Sequence, residues 1–182
     1  MSPEKDAYLC EKYPKIFVNR NAGVDVSCMA WGLAIDDGWF HIIDSACNLI
    51  QGHIDWRNQQ REKDIKYNEA VDKALVGDMA DLHKALFIDN PNNLTDWQQD
   101  NINKALAGNK RKVSEPIPQF VAEQVKEKFG TLRFYYSGGN EYTSGVANMA
   151  EAMSSSICEV CGKPGKTGGK GWIRTTCEEH SK

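Results

Sequence analysis

No stretch of this 182-residue chain approaches the roughly eighteen apolar residues of a membrane span, and Met1-Ser2-Pro3-Glu4-Lys5-Asp6 is charged with no apolar run behind it. Neither a span nor a signal peptide is expected, and the expected compartment is the cytoplasm. Histidine is scarce: of the four present, His41, His53 and His83 are neither adjacent nor clustered. A zinc-ribbon nuclease would need more of them around a phosphate-bound metal. Nucleophile elbow, dinucleotide fingerprint and His-Glu-x-x-His are all missing. Gly165-Lys166-Thr167 ends like a phosphate loop, but Val160 stands where its first glycine is required. These absences disfavour an enzyme. The nearest thing to an acid–base pair is His41 with Asp44, three apart on a predicted helix. The preferred reading of that pair is a polar stripe bonding neighbouring loops, with a metal-dependent hydrolase as a distant alternative.

Charge of neither sign dominates. The net charge is −3, yet residues 36–108 hold thirteen acidic and seven basic side chains, residues 109–133 three and six, and residues 158–182 three and five. A mildly basic C-terminal half favours an anionic partner but falls short of a dedicated nucleic-acid surface, so DNA or RNA binding is expected to be weak.

The 41% hydrophobic content suffices for one domain with an appendage. Residues 4–13 predict a helix ending before Pro14, and residues 24–35 a strand broken at Gly32. Residues 39–54 predict a largely buried helix. Val71, Leu75, Met79, Leu82 and Leu86 keep one helical face, and Thr95 caps a further helix reaching Ala107 before Gly108. Residues 110–118 read as an exposed connector. Val121, Val125 and Phe129 fit one face of a helix or strand, and residues 131–136 a strand followed by a turn at 137–140. The aromatic stretch 128–135 faintly resembles an RNA-binding strand, but its order of glycine and aromatics is wrong for one. Thr143 or Ser144 is expected to cap a helix to about Ser156. The fold class is therefore α+β: a core over residues 1–157 with a helical insertion at about 55–112, and a C-terminal knuckle over 158–182.

That knuckle carries the most specific pattern in the chain. Cys158, Cys161, Cys177 and His180 form Cys-x2-Cys, a fifteen-residue loop, and Cys-x2-His. Two residues between paired ligands let a tight turn aim both at one ion, and the glycine-rich loop brings two such turns together. Four ligands fill a tetrahedral zinc sphere and leave no place for an activated water, so the ion is expected to be structural. Cys10, Cys28 and Cys47 remain as small hydrophobes rather than a disulfide framework.

Glu11-Lys12-Tyr13-Pro14, Gly38-Trp39-Phe40, Lys126-Glu127-Lys128-Phe129-Gly130-Thr131-Leu132-Arg133-Phe134-Tyr135, Met149-Ala150-Glu151 to Ser154, and Cys158-Glu159-Val160-Cys161-Gly162 with Gly171-Trp172-Ile173-Arg174-Thr175 together resemble a family of small zinc-binding proteins of tailed bacteriophages and prophages. The resemblance covers most of the chain outside roughly 55–115. It implies a phage context, the four zinc ligands and no catalytic residue, and hence a binding protein in the host bacterial cytoplasm acting on a host defence or regulatory protein. Trp172, Arg174 and Lys170 on the zinc loop, with Arg133, Tyr135 and Lys128 beside the aromatic strand, are the expected contact residues. Packing of Trp172 on the zinc turn is the competing and preferred reading for that side chain. The alternative function is a zinc-stabilised nucleic-acid-binding accessory protein.

Overall fold

Proline at the first helical position, with Glu4 and Asp6 in the first turn, starts α1 (Pro3–Lys12). The computed structural model describes residues 1–169 and 171–181. Among these the chain forms two compact units, Met1–Asp55 with Ile117–Lys182, and Trp56–Pro116. The described residues from Cys158 onward fall within the first unit. The architecture is α+β: five α-helices and two small antiparallel two-stranded sheets. No described helix is long and apolar enough to cross a membrane.

The first unit is built around the hairpin β1 (Val121–Lys128) and β2 (Thr131–Ser137). Ala122, Val125, Leu132 and Phe134 bury one face against Leu9, Ile16, Trp39, Ile43 and Ile50. A bulge at Glu123 interrupts the ladder, and Ser27 donates a hydroxyl hydrogen bond to the Glu123 carbonyl at 3.1 Å. The outer edge of β2 would leave amides bare. Helix α5 (Glu141–Ser154) covers them with side chains: Leu132 N–H donates to Ser154 Oγ at 2.8 Å and Phe134 N–H to Glu151 Oε1 at 2.7 Å. That is the physical content of the Glu151-to-Ser154 motif.

Three expectations are corrected here. Residues 24–35 form no strand; Ser27 caps a 3-10 turn at Cys28–Trp31, and only Ala34 bridges β1, opposite Lys126. The apolar pattern misleads because Val24, Val26 and Trp31 lie at the surface. Helix α5 is capped by Asn140 rather than Thr143 or Ser144; Thr143 is its N3 partner in a capping box. The periodic residues 71–86 are not one helix: α2 (Phe40–Leu75) ends before Gly77, whose φ of 100° breaks the run, and α3 (Ala80–Ala85) restarts it.

The second unit is helical. Tyr67, Val71, Leu82, Leu86, Ile102 and Ala105 form its core. Helix α4 (Asp96–Leu106) opens on Thr95 with a full capping box to Gln98.

Candidate metal centre

Two short turns make the centre. After α5, the chain bends at Gly162 (φ 76°), whose N–H donates to the Cys158 carbonyl at 2.8 Å. Strand β4 (Arg174–Thr176), paired to β3 (Lys166–Gly168), delivers Cys177 as the cap of a single 3-10 turn that ends at His180. The three thiols and the imidazole of Cys158, Cys161, Cys177 and His180 converge with all ligand atoms within 4.8 Å of one another.

Their spacing fits a tetrahedral ion. Bonds of about 2.3 Å to sulfur and about 2.0 Å to nitrogen place the corners of a tetrahedron about 3.8 Å apart for two sulfurs and about 3.5 Å for sulfur and nitrogen. Cys161 Sγ and Cys177 Sγ are 3.7 Å apart, and His180 Nδ1 lies 3.6 Å from Cys158 Sγ and 3.3 Å from Cys177 Sγ. The imidazole therefore presents Nδ1. Burial raises the Cys158 thiol pKa, but backbone N–H groups of Cys177, Cys161 and Val160 outweigh it and pull the value down to about 6, so the thiolate that a metal needs is close at hand.

The first unit grips this centre at three points. A Cβ on Gly38 would lie 2.2 Å from the Cys158 carbonyl oxygen and 2.5 Å from Gly162 N, and Gly38 N–H donates to the Glu159 carbonyl at 2.7 Å. Only a residue without a side chain fits there. Next to it, the fully buried Trp39 donates its indole N–H to the Ile157 carbonyl at 2.8 Å. The Thr175 hydroxyl donates to the Gly130 carbonyl at 2.5 Å, seating β4 against the tip of the β1–β2 hairpin.

The expected contact residues separate into two groups. Arg174 is used internally: its guanidinium bridges Asp36 and the buried Glu159. Arg133 folds onto its own strand, donating to Thr131 Oγ1 and the Leu132 carbonyl at 2.7 Å each. Trp172, by contrast, is 76% exposed, which removes the reading in which it packs on the zinc turn. Tyr135 is exposed beneath the Lys126 ammonium, and Lys128 lies 5.5 Å over the Phe129 ring. Lys170 lies outside the described residues.

Phe129 is the residue that pattern reading missed. It occupies a two-residue hairpin turn with Gly130, both at positive φ (53° and 78°), and is 67% exposed. Such turns favour Asn-Gly, and a bulky side chain at positive φ is a true outlier. A Cβ on Gly130 would meet Ile173 Cγ2 at 3.1 Å, so the glycine of this turn lies against Ile173, while Phe129, Ile173 and Trp172 are each exposed. The signal available beforehand was the Phe-Gly pair between two alternating strands.

Among the described residues, His41 and Asp44 belong to no cluster of three or more side chains that could hold a metal. Asp44 Oδ1 accepts from Lys12 Nζ and Tyr13 Oη at 2.8 Å each, while His41 is exposed against Phe40. No family model, curated protein or solved structure matches the chain.

Proposed function

We propose that this chain is a phage-encoded, zinc-stabilised binding protein that acts in the bacterial cytoplasm by docking on a host protein, as an anti-defence or host-takeover factor. Three thiolates and an imidazole are a set that zinc takes readily, and the closed sphere makes the ion a staple rather than a catalyst. The single observation that carries the docking reading is the Phe129–Ile173–Trp172 surface. Two aromatic side chains and an isoleucine stand in solvent, one of them on strained backbone, where the metal ribbon meets the hairpin. Aromatic anchors of this kind dominate binding energy at protein interfaces, and backbone strain collects at functional positions. Lys128 supplies the cationic rim.

The test is expression in a bacterial host, with growth and resistance to infection measured against dose. Trp172→Ala and Phe129→Gly, with zinc content unchanged, are expected to weaken the effect separately and abolish it together. Full activity in that double variant, with loss in His41→Ala or Asp44→Ala at intact folding, would replace docking by a hydrolytic reading. Elemental analysis should return one zinc per chain.

A further inference from the structure

Within the unit Trp56–Pro116, several cations are neutralised by neighbours: Lys73 by Asp81 at 2.5 Å, Lys104 by Asp100 at 2.5 Å and Lys110 by Asp72 at 2.7 Å. Lys63, Lys66 and Lys84 are different. None makes a hydrogen bond or ion pair among the described residues, and all three line one groove of about 620 Å³ together with Arg111, Tyr67 and Phe87. Lys63 and Lys66 are three apart on α2, so they share a helix face, while Lys84 comes from α3 and Arg111 from the connector after α4.

Arg111 is built in. Its amide donates to Asn68 Oδ1 at 2.8 Å, its carbonyl accepts from Asn68 Nδ2 at 2.9 Å, and its guanidinium lies 4.0 Å from the centre of the Tyr67 ring and pairs with Asp64 at 3.5 Å. Two carboxylates also line the groove, Glu69 and Asp81, and Asp81 is held by Lys73. With Arg111 paired to Asp64 and Asp81 to Lys73, the groove sets Lys63, Lys66 and Lys84 against the remaining carboxylate Glu69, inside a unit whose ten acidic and ten basic residues cancel. At the rim stands Phe87, 83% exposed at a φ of 53°, between the buried Leu86 and Ile88. The backbone accepts a strained conformation and thereby turns an aromatic face outward.

We propose that this groove binds single-stranded nucleic acid, with phosphates on Lys63, Lys66 and Lys84 and a base stacked on Phe87. A basic groove beside an exposed aromatic ring is the pairing that single strands use. An acidic peptide would satisfy the cations and leave the ring without a planar partner. A duplex keeps its bases stacked on one another and out of reach of Phe87. The inference goes beyond the host-protein reading and does not depend on it, since it uses none of the residues of the metal ribbon.

Fluorescence anisotropy of the full-length, zinc-loaded chain with a labelled oligothymidylate of about twelve nucleotides tests it, across a salt series. The expected affinity lies in the range of about 10⁻⁴ to 10⁻⁶ M near physiological salt, with a log–log salt slope of about −2 to −3 for three or four phosphate contacts. Lys66→Ala with Lys84→Ala should flatten that slope by about 1.4. Phe87→Gly should leave the slope alone and weaken binding about fivefold or more, while its thermal midpoint stays level or rises because glycine tolerates positive φ. No binding at low salt overturns the proposal. So do tighter binding to a duplex of equal length, equally effective competition by polyglutamate, or unchanged affinity in both variants.

Discussion

Residues 56–116 and 158–181 are both small, and they reach order by opposite means. The helical stretch buries Tyr67, Val71, Leu82, Leu86, Ile102 and Ala105 together, and adds a capping box and, among the described residues, four ion pairs. In the ribbon the only buried side chains among the described residues are Cys158, Glu159, Thr175 and Cys177, and β3 is exposed throughout. Its order is concentrated at one point, whereas that of the helical unit is spread over many small terms. A single change should therefore dissolve the one and only dent the other.

The sharpest way to break this contrast is to remove the zinc that the Cys158–Cys161–Cys177–His180 cluster is proposed to hold. Structural zinc contributes about 10–16 kcal/mol in small zinc peptides. Chelation, or Cys161→Ser, should bring amide exchange in residues 158–181 close to unprotected rates while residues 56–116 keep their protection. Persistent protection of the metal-free ribbon would mean that packing holds it, and the contrast would fall.

Gly38→Ala comes next. The new methyl would collide with the Cys158 and Glu159 carbonyls, neither of which can swing aside as a side chain would. Overpacking of this kind destabilises by about 1–3 kcal/mol. Because the clash lies on the ribbon's footing, zinc should also be lost faster to a competing chelator. An alanine variant with wild-type zinc retention would show that the footing is soft.

In the helical unit the matching experiment is Thr95→Ala, which removes one cap at about 1 kcal/mol. Denaturant unfolding should shift by that amount, and zinc affinity should not move. A change in zinc affinity would show that the two regions are energetically coupled.

Acid gives the finest discrimination. Ligand thiols and imidazole must be deprotonated to hold an ion, so the ribbon should lose its metal first as pH falls. Burial pushes the Asp44 carboxyl up, but the Lys12 and Tyr13 hydrogen bonds outweigh it and keep its pKa below the ordinary carboxylate value. The unfolded value is about 3.9, so the stabilisation is complete above that pH and disappears as pH drops through the lower folded value. Asp44→Asn should lower stability slightly near neutrality and flatten the profile below about pH 4. An unchanged acid limb would remove Asp44 from the account.

What could be read in advance follows the same division. The convergence of Cys158, Cys161, Cys177 and His180 was legible because a site that can hold a metal ties chemistry to spacing over a few residues. The strand after Gly130 and the Thr95 cap were legible because alternation and capping are local, whereas Val121 and Val125 fitted a helix as well as a strand and left the hairpin open. Residues 24–35 misled because their valines and tryptophan face solvent, a tertiary fact that propensity does not encode. The break near Gly77 was hidden because Val71 to Leu86 stays in phase across it. Phe129 and Phe87 were invisible as outliers because sequence carries no φ. Gly38 was quoted in a motif, yet its role needs the knuckle's carbonyls in view.

Gln51 and Gln119 lie four residues before Asp55 and two after Ile117, and their side-chain amides bond each other at 2.9 and 3.3 Å. The first unit thus releases the chain and receives it back at nearly one place, which makes residues 56–116 a cassette rather than a segment of scaffold. The chain enters this stretch along the continuous helix α2 and returns through the loop after α4, and because loop entropy grows only slowly with length, the return side tolerates lengthening or shortening. Joining Asp55 to Ile117 through a short glycine linker should yield a chain that keeps its hairpin and ribbon. Related chains would then be free to diverge in this stretch, acquiring or discarding a groove such as the one beside Phe87 without redesigning the remainder.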